Sequence, residues 1–145
     1  DQPQKSPVQP PIMLVDDDPR ILRTMSRIIS RLSHVPLQFN NAPQALEHFR
    51  KDPEDFDLVI SDIIMPDLRG DRLAHQLVSI RPGLPVVLYS GSKPPRAIAG
   101  LIKDSNVVFI QKPIAIELLD KTIREILEKN RKDKPGVRND FRPDY

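Results

Sequence analysis

Short apolar runs alternate with longer amphipathic segments along most of this chain. The runs are typical of strands that are buried on both faces of a parallel sheet, and the segments carry apolar residues at helical spacing. The predicted strands lie at about 12–16, 35–39, 56–61, 86–89 and 107–111. The predicted helices lie at about 19–33, from Pro43 onward, at 70–80, at 95–103 and at 115–129.

Strict alternation of five strands with five helices predicts an α/β fold, namely a doubly wound five-stranded parallel sheet. Right-handed crossovers place helices on both faces of such a sheet. Asp18 is the predicted N-cap of the first helix, with Pro19 in its first turn. The fourth helix begins at Pro95 and is predicted to be short.

The predicted folded domain covers residues 12–130. Residues 1–11 contain four prolines among polar residues, which is the composition of an extended, solvated linker. Residues 131–145 show no apolar period, so we expect a disordered or loosely docked tail. A length of 145 residues suits one domain with a buried core.

Composition excludes several classes of protein. No apolar run approaches the roughly 20 residues that a membrane helix needs, and the amino terminus has no apolar signal segment. The absence of cysteine excludes disulfides and thiolate metal sites. With no export signal in view, we expect a cytoplasmic location.

The net charge of +2 is unevenly distributed along the chain. From Lys129 onward, six basic and three acidic side chains give +3, which leaves −1 for the rest. The excess of positive charge therefore lies on the predicted tail rather than on a basic patch with interleaved aromatic residues. This distribution argues against direct nucleic-acid binding.

Charged side chains follow three of the predicted strands at the point where each strand ends. Asp16 and Asp17 follow the first strand, Asp62 the third and Lys112 the fifth. Because ligands of open α/β sheets bind at the carboxyl ends of the strands, we expect these side chains to converge on one rim. Mg²⁺ prefers oxygen ligands and combines protein carboxylates with phosphate oxygens. The rim therefore predicts a divalent metal and a transferable phosphoryl group.

Asp62 is the candidate nucleophile of this rim. A carboxylate after a fully apolar strand is costly unless it is paired or metal-bound, and aspartate accepts phosphoryl groups in covalent catalysis. Lys112 offers a point charge to a phosphoryl oxygen, and Ser90, which ends the fourth apolar run, offers a hydroxyl donor. A purely structural interpretation also stays open for each residue. Asp62 could be an exposed acid in a turn, Lys112 a solvated lysine and Ser90 part of a Ser-Gly turn.

Four segments of the chain, taken in order, resemble the receiver domain of two-component response regulators. They are MLVDDDP at 13–19, DLVISDIIMPDLRG at 57–70, VVLYSG at 86–91 and FIQKP at 109–113. Each segment is common by itself, but all four at strand ends with this spacing are specific. The resemblance covers about residues 11–130 and implies the flavodoxin-like (βα)5 fold of that family.

The resemblance implies a catalytic and a switching set of residues. Asp62 would be the phosphoacceptor, Lys112 would bind one phosphoryl oxygen and Ser90 would close on another. Phe109 would be the switch aromatic that moves together with Ser90. Because Phe109 is a phenylalanine, it could turn inward but could not donate a hydroxyl hydrogen bond.

The resemblance also implies a Mg²⁺ site. Asp17 would contact the ion directly and Asp16 largely through water. Asp62 and the backbone carbonyl of Ile64 would complete the ligand set.

The implied partner is a histidine kinase or a histidine phosphotransfer domain that offers phosphohistidine. The domain would then gain and lose its own phosphoryl group rather than turn over a substrate. A homodimer is compatible with the resemblance. The proline-rich start and the tail are similar to a receiver at the carboxyl end of a hybrid sensor kinase, and a stand-alone regulator stays open.

Two other functions stay open at this stage. A haloacid dehalogenase-like phosphatase would use Asp16 and Asp18 as its Asp-x-Asp motif, but Asp62 would then have no role. A receiver-like binding module would act through protein contacts without phosphorylation, but the intact acids and Lys112 argue against it.

Overall fold

Five strands form one parallel sheet, as the alternation predicted. They are β1 Ile12–Val15, β2 Pro36–Phe39, β3 Leu58–Asp62, β4 Val86–Ser90 and β5 Val107–Gln111. Their order across the sheet is β2-β1-β3-β4-β5, which is the flavodoxin-like order. The structure is a computed structural model that describes residues 10–133, so most of the predicted linker at 1–11 and tail at 131–145 lies outside the described residues.

Five helices pack on the two faces of this sheet. They are α1 Pro19–Arg31, α2 Ala42–Lys51, α3 Gly70–Ile80, α4 Ala99–Asp104 and α5 Ile116–Asp133. Asp18 caps α1 as predicted, because its side chain accepts a hydrogen bond from the N–H of Arg20. None of the described helices has the length and apolar character to cross a membrane.

Some element boundaries differ from the predicted ones. The segment predicted as one helix at 95–103 forms a 3₁₀ turn at Arg96–Ile98 and then the six-residue α4. Pro95 precedes the turn with an extended backbone, so the helix cannot begin there. β3 and β4 each extend one residue farther than predicted, because Asp62 and Ser90 still pair with neighbouring strands.

Two apolar cores lie on opposite faces of the sheet, and side-chain alternation along each strand decides which core a residue joins. Val59 and Leu88 join the core against α2, α3 and α4. Ile60 and Tyr89 join the core against α1 and α5. The alternation therefore also fixes the face to which a side chain at the carboxyl end of a strand belongs.

The strand order changes direction at β1 and β3. From β1 the chain passes to β2 at one edge and then returns to β3 on the other side of β1. The two crossovers leave a crevice at the carboxyl ends of these neighbouring strands, where α/β sheets bind ligands. Asp16 follows β1 and Asp62 ends β3, so both belong to this crevice.

At Gly70, α3 approaches the end of β3 so closely that there is no room for a side chain. The N–H of Gly70 donates a hydrogen bond to the carbonyl of Ile63 at 2.8 Å, and a Cβ here would overlap the backbone carbonyl of Asp62. We expect Gly70→Ala to lower the free energy of unfolding by at least about 2 kcal/mol in urea denaturation, because the backbone must move. Gly100→Ala is the matched control, since a Cβ there meets nothing within 4 Å and alanine favours a helix. Equal effects of the two substitutions would contradict this account.

Candidate functional site

Three carboxylates meet at the crevice between β1 and β3. One oxygen from each of Asp16, Asp17 and Asp62 lies within 4.8 Å of the others. The convergence predicted from the strand ends is therefore present in the structure. We call Asp16, Asp17 and Asp62 the acidic cluster.

Burial makes the acidic cluster electrostatically unfavourable by itself. Asp16 is 1% exposed and Asp62 is 6% exposed, whereas Asp17 is open to solvent. Burial raises the pKa of Asp16, and hydrogen bonds from Tyr89 and from the backbone of Asp18 offset part of that rise. The negative charge of Asp62 raises the pKa of Asp16 further. A cation in the crevice would relieve this repulsion.

Lys112 supplies one positive charge beside the acidic cluster. It follows β5, and its Nζ lies 3.6 Å from Oδ2 of Asp62. Its backbone N–H donates to the carbonyl of Ser90 at 2.8 Å, which holds it next to β4, and its peptide bond to Pro113 is cis. The predicted meeting of Lys112 with the acids is therefore also present.

Tyr89 is a member of the site that the sequence analysis did not identify. Its hydroxyl donates a hydrogen bond to Oδ2 of Asp16 at 2.6 Å, and Nζ of Lys112 lies 5.2 Å from the centroid of its ring. Burial and the negative charge of Asp16 raise the pKa of Tyr89, so the phenol keeps its proton. Tyr89 therefore contacts both an acid and the cation of the site.

One signal in the sequence could have identified Tyr89. Tyr89 follows three apolar residues in β4, and a buried tyrosine hydroxyl usually finds a hydrogen-bond partner. In the sheet register Tyr89 stands opposite Asp62, on the face of the sheet that α1 and α5 cover.

The remaining predicted residues do not join the acidic cluster. Ser90 is buried at the end of β4, where its Oγ accepts a hydrogen bond from the N–H of Ser92 at 3.1 Å. Phe109 is half-buried and packs against the core on the α2, α3 and α4 face. The side chain of Ile64 is exposed, and its N–H is 3.4 Å from Oδ1 of Asp62.

The donor set of the acidic cluster fits a hard divalent cation such as Mg²⁺. All its ligand atoms are carboxylate oxygens, with no histidine or cysteine among them. Asp16 already accepts two hydrogen bonds, one at each oxygen, from Asp18 and Tyr89. Asp17 and Asp62 are therefore better placed than Asp16 for direct contact with an ion.

Comparison with known proteins agrees with the fold and with the site. Residues 12–124 match the family model described as "Response regulator receiver domain". The two-component response regulator ARR10 of Arabidopsis thaliana is 33% identical over 92% of this chain, which corresponds to 24% of the relative. ARR12 of the same plant is 33% identical over 86% of this chain and 22% of the relative. The chain thus spans about a quarter of these relatives.

Solved structures give the same result for the fold. The CheY-like response regulator receiver domain protein of Methanospirillum hungatei is 25% identical, with a TM-score of 0.77 over 87% of this chain and 99% of that one. A signal receiver domain of Pseudomonas fluorescens is 26% identical, with a TM-score of 0.76 over 86% of this chain and 99% of that one. The match over most of the sequence and the acidic cluster at the expected strand ends agree, and the chain belongs to the response regulator receiver domain family.

Proposed function

We propose that this receiver domain takes a phosphoryl group from phosphohistidine onto Asp62. One observation carries the proposal: the buried Asp62 carboxylate lies at the carboxyl end of a central strand, with Lys112 at 3.6 Å and two further carboxylates beside it. A nucleophilic carboxylate, a cation and a metal-binding acid pair are the groups that phosphoryl transfer to aspartate requires.

The transfer step follows from the chemistry of these groups. A carboxylate oxygen of Asp62 attacks the phosphorus in line, the P–N bond to the donor histidine breaks, and its electron pair stays on the imidazole. Formation of the acyl phosphate removes the negative charge of the Asp62 carboxylate that now pairs with Lys112. Lys112 is then free to bind a phosphoryl oxygen as a point charge.

The acidic cluster is proposed to hold Mg²⁺ during this step. Asp17 and Asp62 would contact the ion, Asp16 would act largely through water, and the backbone carbonyl of Ile64 would complete the set. The bound ion supplies positive charge against the oxygens of the incoming phosphoryl group. Tyr89 would keep Asp16 in one orientation throughout, because it donates to a single oxygen of that carboxylate.

Ser90 and Phe109 are proposed to carry the signal away from the site. Both side chains have the strand parity of the α2, α3 and α4 face, opposite to that of Asp62. A movement of Ser90 toward the phosphoryl group would open space beside Phe109. Phe109 also lines a cavity of about 580 Å³ beside α4 and α5, so its position would bias what binds there.

A histidine kinase or a histidine phosphotransfer domain is the proposed donor, and a homodimer is compatible with the site. A phosphatase of the haloacid dehalogenase type is not favoured. Its motif would need Asp18, which instead caps α1 and binds Arg20. A binding module without phosphorylation is not favoured either, because it would not explain why the carboxylates of Asp16 and Asp62 are buried together.

The first prediction from the proposed function concerns the phosphoacceptor. Wild-type protein incubated with acetyl phosphate and Mg²⁺ should gain the mass of one phosphoryl group, measured by intact mass spectrometry, and the gain should depend on Mg²⁺. Asp62→Asn should abolish the gain, because the amide is a poor nucleophile. Asp67→Asn is the matched control, since this nearby residue has a left-handed backbone that asparagine tolerates. A gain of mass that survives Asp62→Asn would contradict the assignment.

The second prediction concerns Tyr89 and pH. Tyr89→Phe removes a hydrogen bond that lowers the pKa of Asp16, so that pKa should rise further above its usual value. A protonated Asp16 attracts a cation less. The increase in Tm caused by Mg²⁺ should therefore shrink in the variant at acidic pH and recover as the pH rises above the raised pKa of Asp16.

A buried hydroxyl without a partner provides the control for this experiment. Ser26→Ala removes such a group from the buried side of α1, since Ser26 Oγ has no hydrogen-bond partner among the described residues. It should leave the Mg²⁺ response unchanged at every pH. A Mg²⁺ response of Tyr89→Phe that is reduced equally at all pH values would contradict the proposed link to Asp16.

A further inference from the structure

Residues 91–95 connect the end of β4 to the 3₁₀ turn that precedes α4. Lys93 and Pro94 each precede a proline, which disfavours helical backbone and keeps both residues extended. The ring of a proline also fixes φ at about −65°. Pro95 has φ −65° and ψ 148°, which is the conformation of polyproline II. We call residues 91–95 the β4–α4 connection, and its second half is a stiff, extended piece of chain.

Hydrogen bonds hold the β4–α4 connection at its two ends. At the start, the N–H of Ser92 donates to Oγ of Ser90 at 3.1 Å. Just past the other end, Nε2 of His75 lies 3.1 Å from the carbonyl oxygen of Ala97 in the 3₁₀ turn. A carbonyl oxygen can only accept, so Nε2 of His75 carries the proton of this hydrogen bond. The stiff connection therefore lies between a hydroxyl at the end of β4 and a side chain of α3.

His75 lies on a helix that is fixed against the phosphoacceptor strand. α3 begins at Gly70, which approaches the carbonyl of Asp62 too closely for a side chain. His75 itself is exposed and fills no space in the core. Among the described residues, its contact with Ala97 is the one side-chain hydrogen bond between α3 and residues 91–104. This contact therefore joins a helix fixed at Asp62 to the chain that follows β4.

Ser90 adopts the conformation that these two hydrogen bonds favour. Its Oγ accepts from Ser92 and does not join the acidic cluster. A movement of Ser90 toward a phosphoryl group on Asp62 would take Oγ away from Ser92 and displace the start of the connection. Because the prolines keep the connection stiff, the displacement reaches the 3₁₀ turn, whereas the ring of His75 stays with α3. A contact that is made in one conformation alone favours that conformation.

We propose that His75 is a positioning residue that restrains Ser90 in the unphosphorylated domain. Its hydrogen bond to Ala97 holds the far end of the β4–α4 connection, and the connection holds Ser90 away from Asp62. The movement of Ser90 has to break this hydrogen bond, so His75 affects how readily the domain is phosphorylated. This inference rests on the proposed function, because it concerns the movement of Ser90 toward a phosphoryl group.

The test of the hydrogen bond uses single variants of α3. His75→Ala removes the donor, and His75→Asn keeps an amide that is one bond too short. His75→Gln restores a donor, because the amide nitrogen of glutamine lies as many bonds from the backbone as Nε2 of histidine. Ser79→Ala is the matched control, since Ser79 is also exposed and lies one turn farther along the same face of α3. Circular dichroism and Tm establish that all the variants are folded.

The rate of labelling by acetyl phosphate and Mg²⁺, followed by intact mass spectrometry, measures the response. His75→Ala and His75→Asn should be labelled about threefold faster than wild type, because the restraint of one net hydrogen bond is lost. His75→Gln and Ser79→Ala should be labelled at the wild-type rate. Equal rates in His75→Ala and wild type would overturn the proposal.

A double-mutant cycle with Ser90→Ala shows whether His75 acts through Ser90. Ser90→Ala should slow labelling, because the hydroxyl that would close on the phosphoryl group is lost. Combining it with His75→Ala should then leave the rate of the Ser90→Ala protein unchanged, since the hydroxyl that His75 restrains is no longer there. A general structural effect of His75 would persist in the double variant, and a threefold acceleration there would overturn the proposal.

Amide exchange of Ser92 in the unphosphorylated protein, measured by NMR, tests the restraint without any chemistry at Asp62. When Ser90 moves, the N–H of Ser92 loses its acceptor and exchanges with solvent. Exchange should therefore become about threefold faster in His75→Ala and stay unchanged in His75→Gln and Ser79→Ala. Failure of acetyl phosphate to label any protein would contradict the proposed function and leave this comparison intact. Unchanged exchange of Ser92 in His75→Ala would overturn the restraint itself.

Discussion

The site buries the negatively charged side chains of Asp16 and Asp62 close together. Ion pairs and hydrogen bonds from neighbouring residues are needed to offset the cost of this burial. Asp16 and Asp62 are nearly inaccessible and lie together with Asp17 at the carboxyl ends of adjacent strands. Burial raises the pKa of Asp16, and the negative charge of Asp62 raises it further. Lys112 gives one compensating charge, and Tyr89 and a backbone amide give hydrogen bonds. The compensation is partial, and the remaining negative charge of the crevice favours the binding of a divalent cation.

The pleat of the sheet divides the functional residues between two faces. Asp62 and Tyr89 stand opposite each other in the register and belong to the face covered by α1 and α5. Ser90 and Phe109 have the other parity and belong with α2, α3 and α4. The proposed chemistry and the proposed signal output therefore involve residues on different faces of one sheet. Tyr89 and Ser90 are adjacent at the end of β4, and a strand directs successive side chains to opposite faces. The backbone between these two residues therefore links the two faces of the sheet.

The sequence was sufficient to predict the strands and the meeting of charged side chains at their carboxyl ends. It was not sufficient to predict the role of Tyr89. Apolar runs predicted every strand, and parallel strands bring their carboxyl ends to one rim, so the meeting of Asp62 with Lys112 followed. Tyr89 was missed because a hydroxyl inside an apolar run looks like core until its partner across the sheet is known.

Tyr89 connects the acidic cluster to the surface of the domain. Its hydroxyl donates a hydrogen bond to one oxygen of Asp16, and Tyr89 also lines an apolar groove of about 650 Å³ between α1 and the β5–α5 connection. A change in the position of Tyr89 would therefore alter both the hydrogen bonding of Asp16 and the shape of this groove.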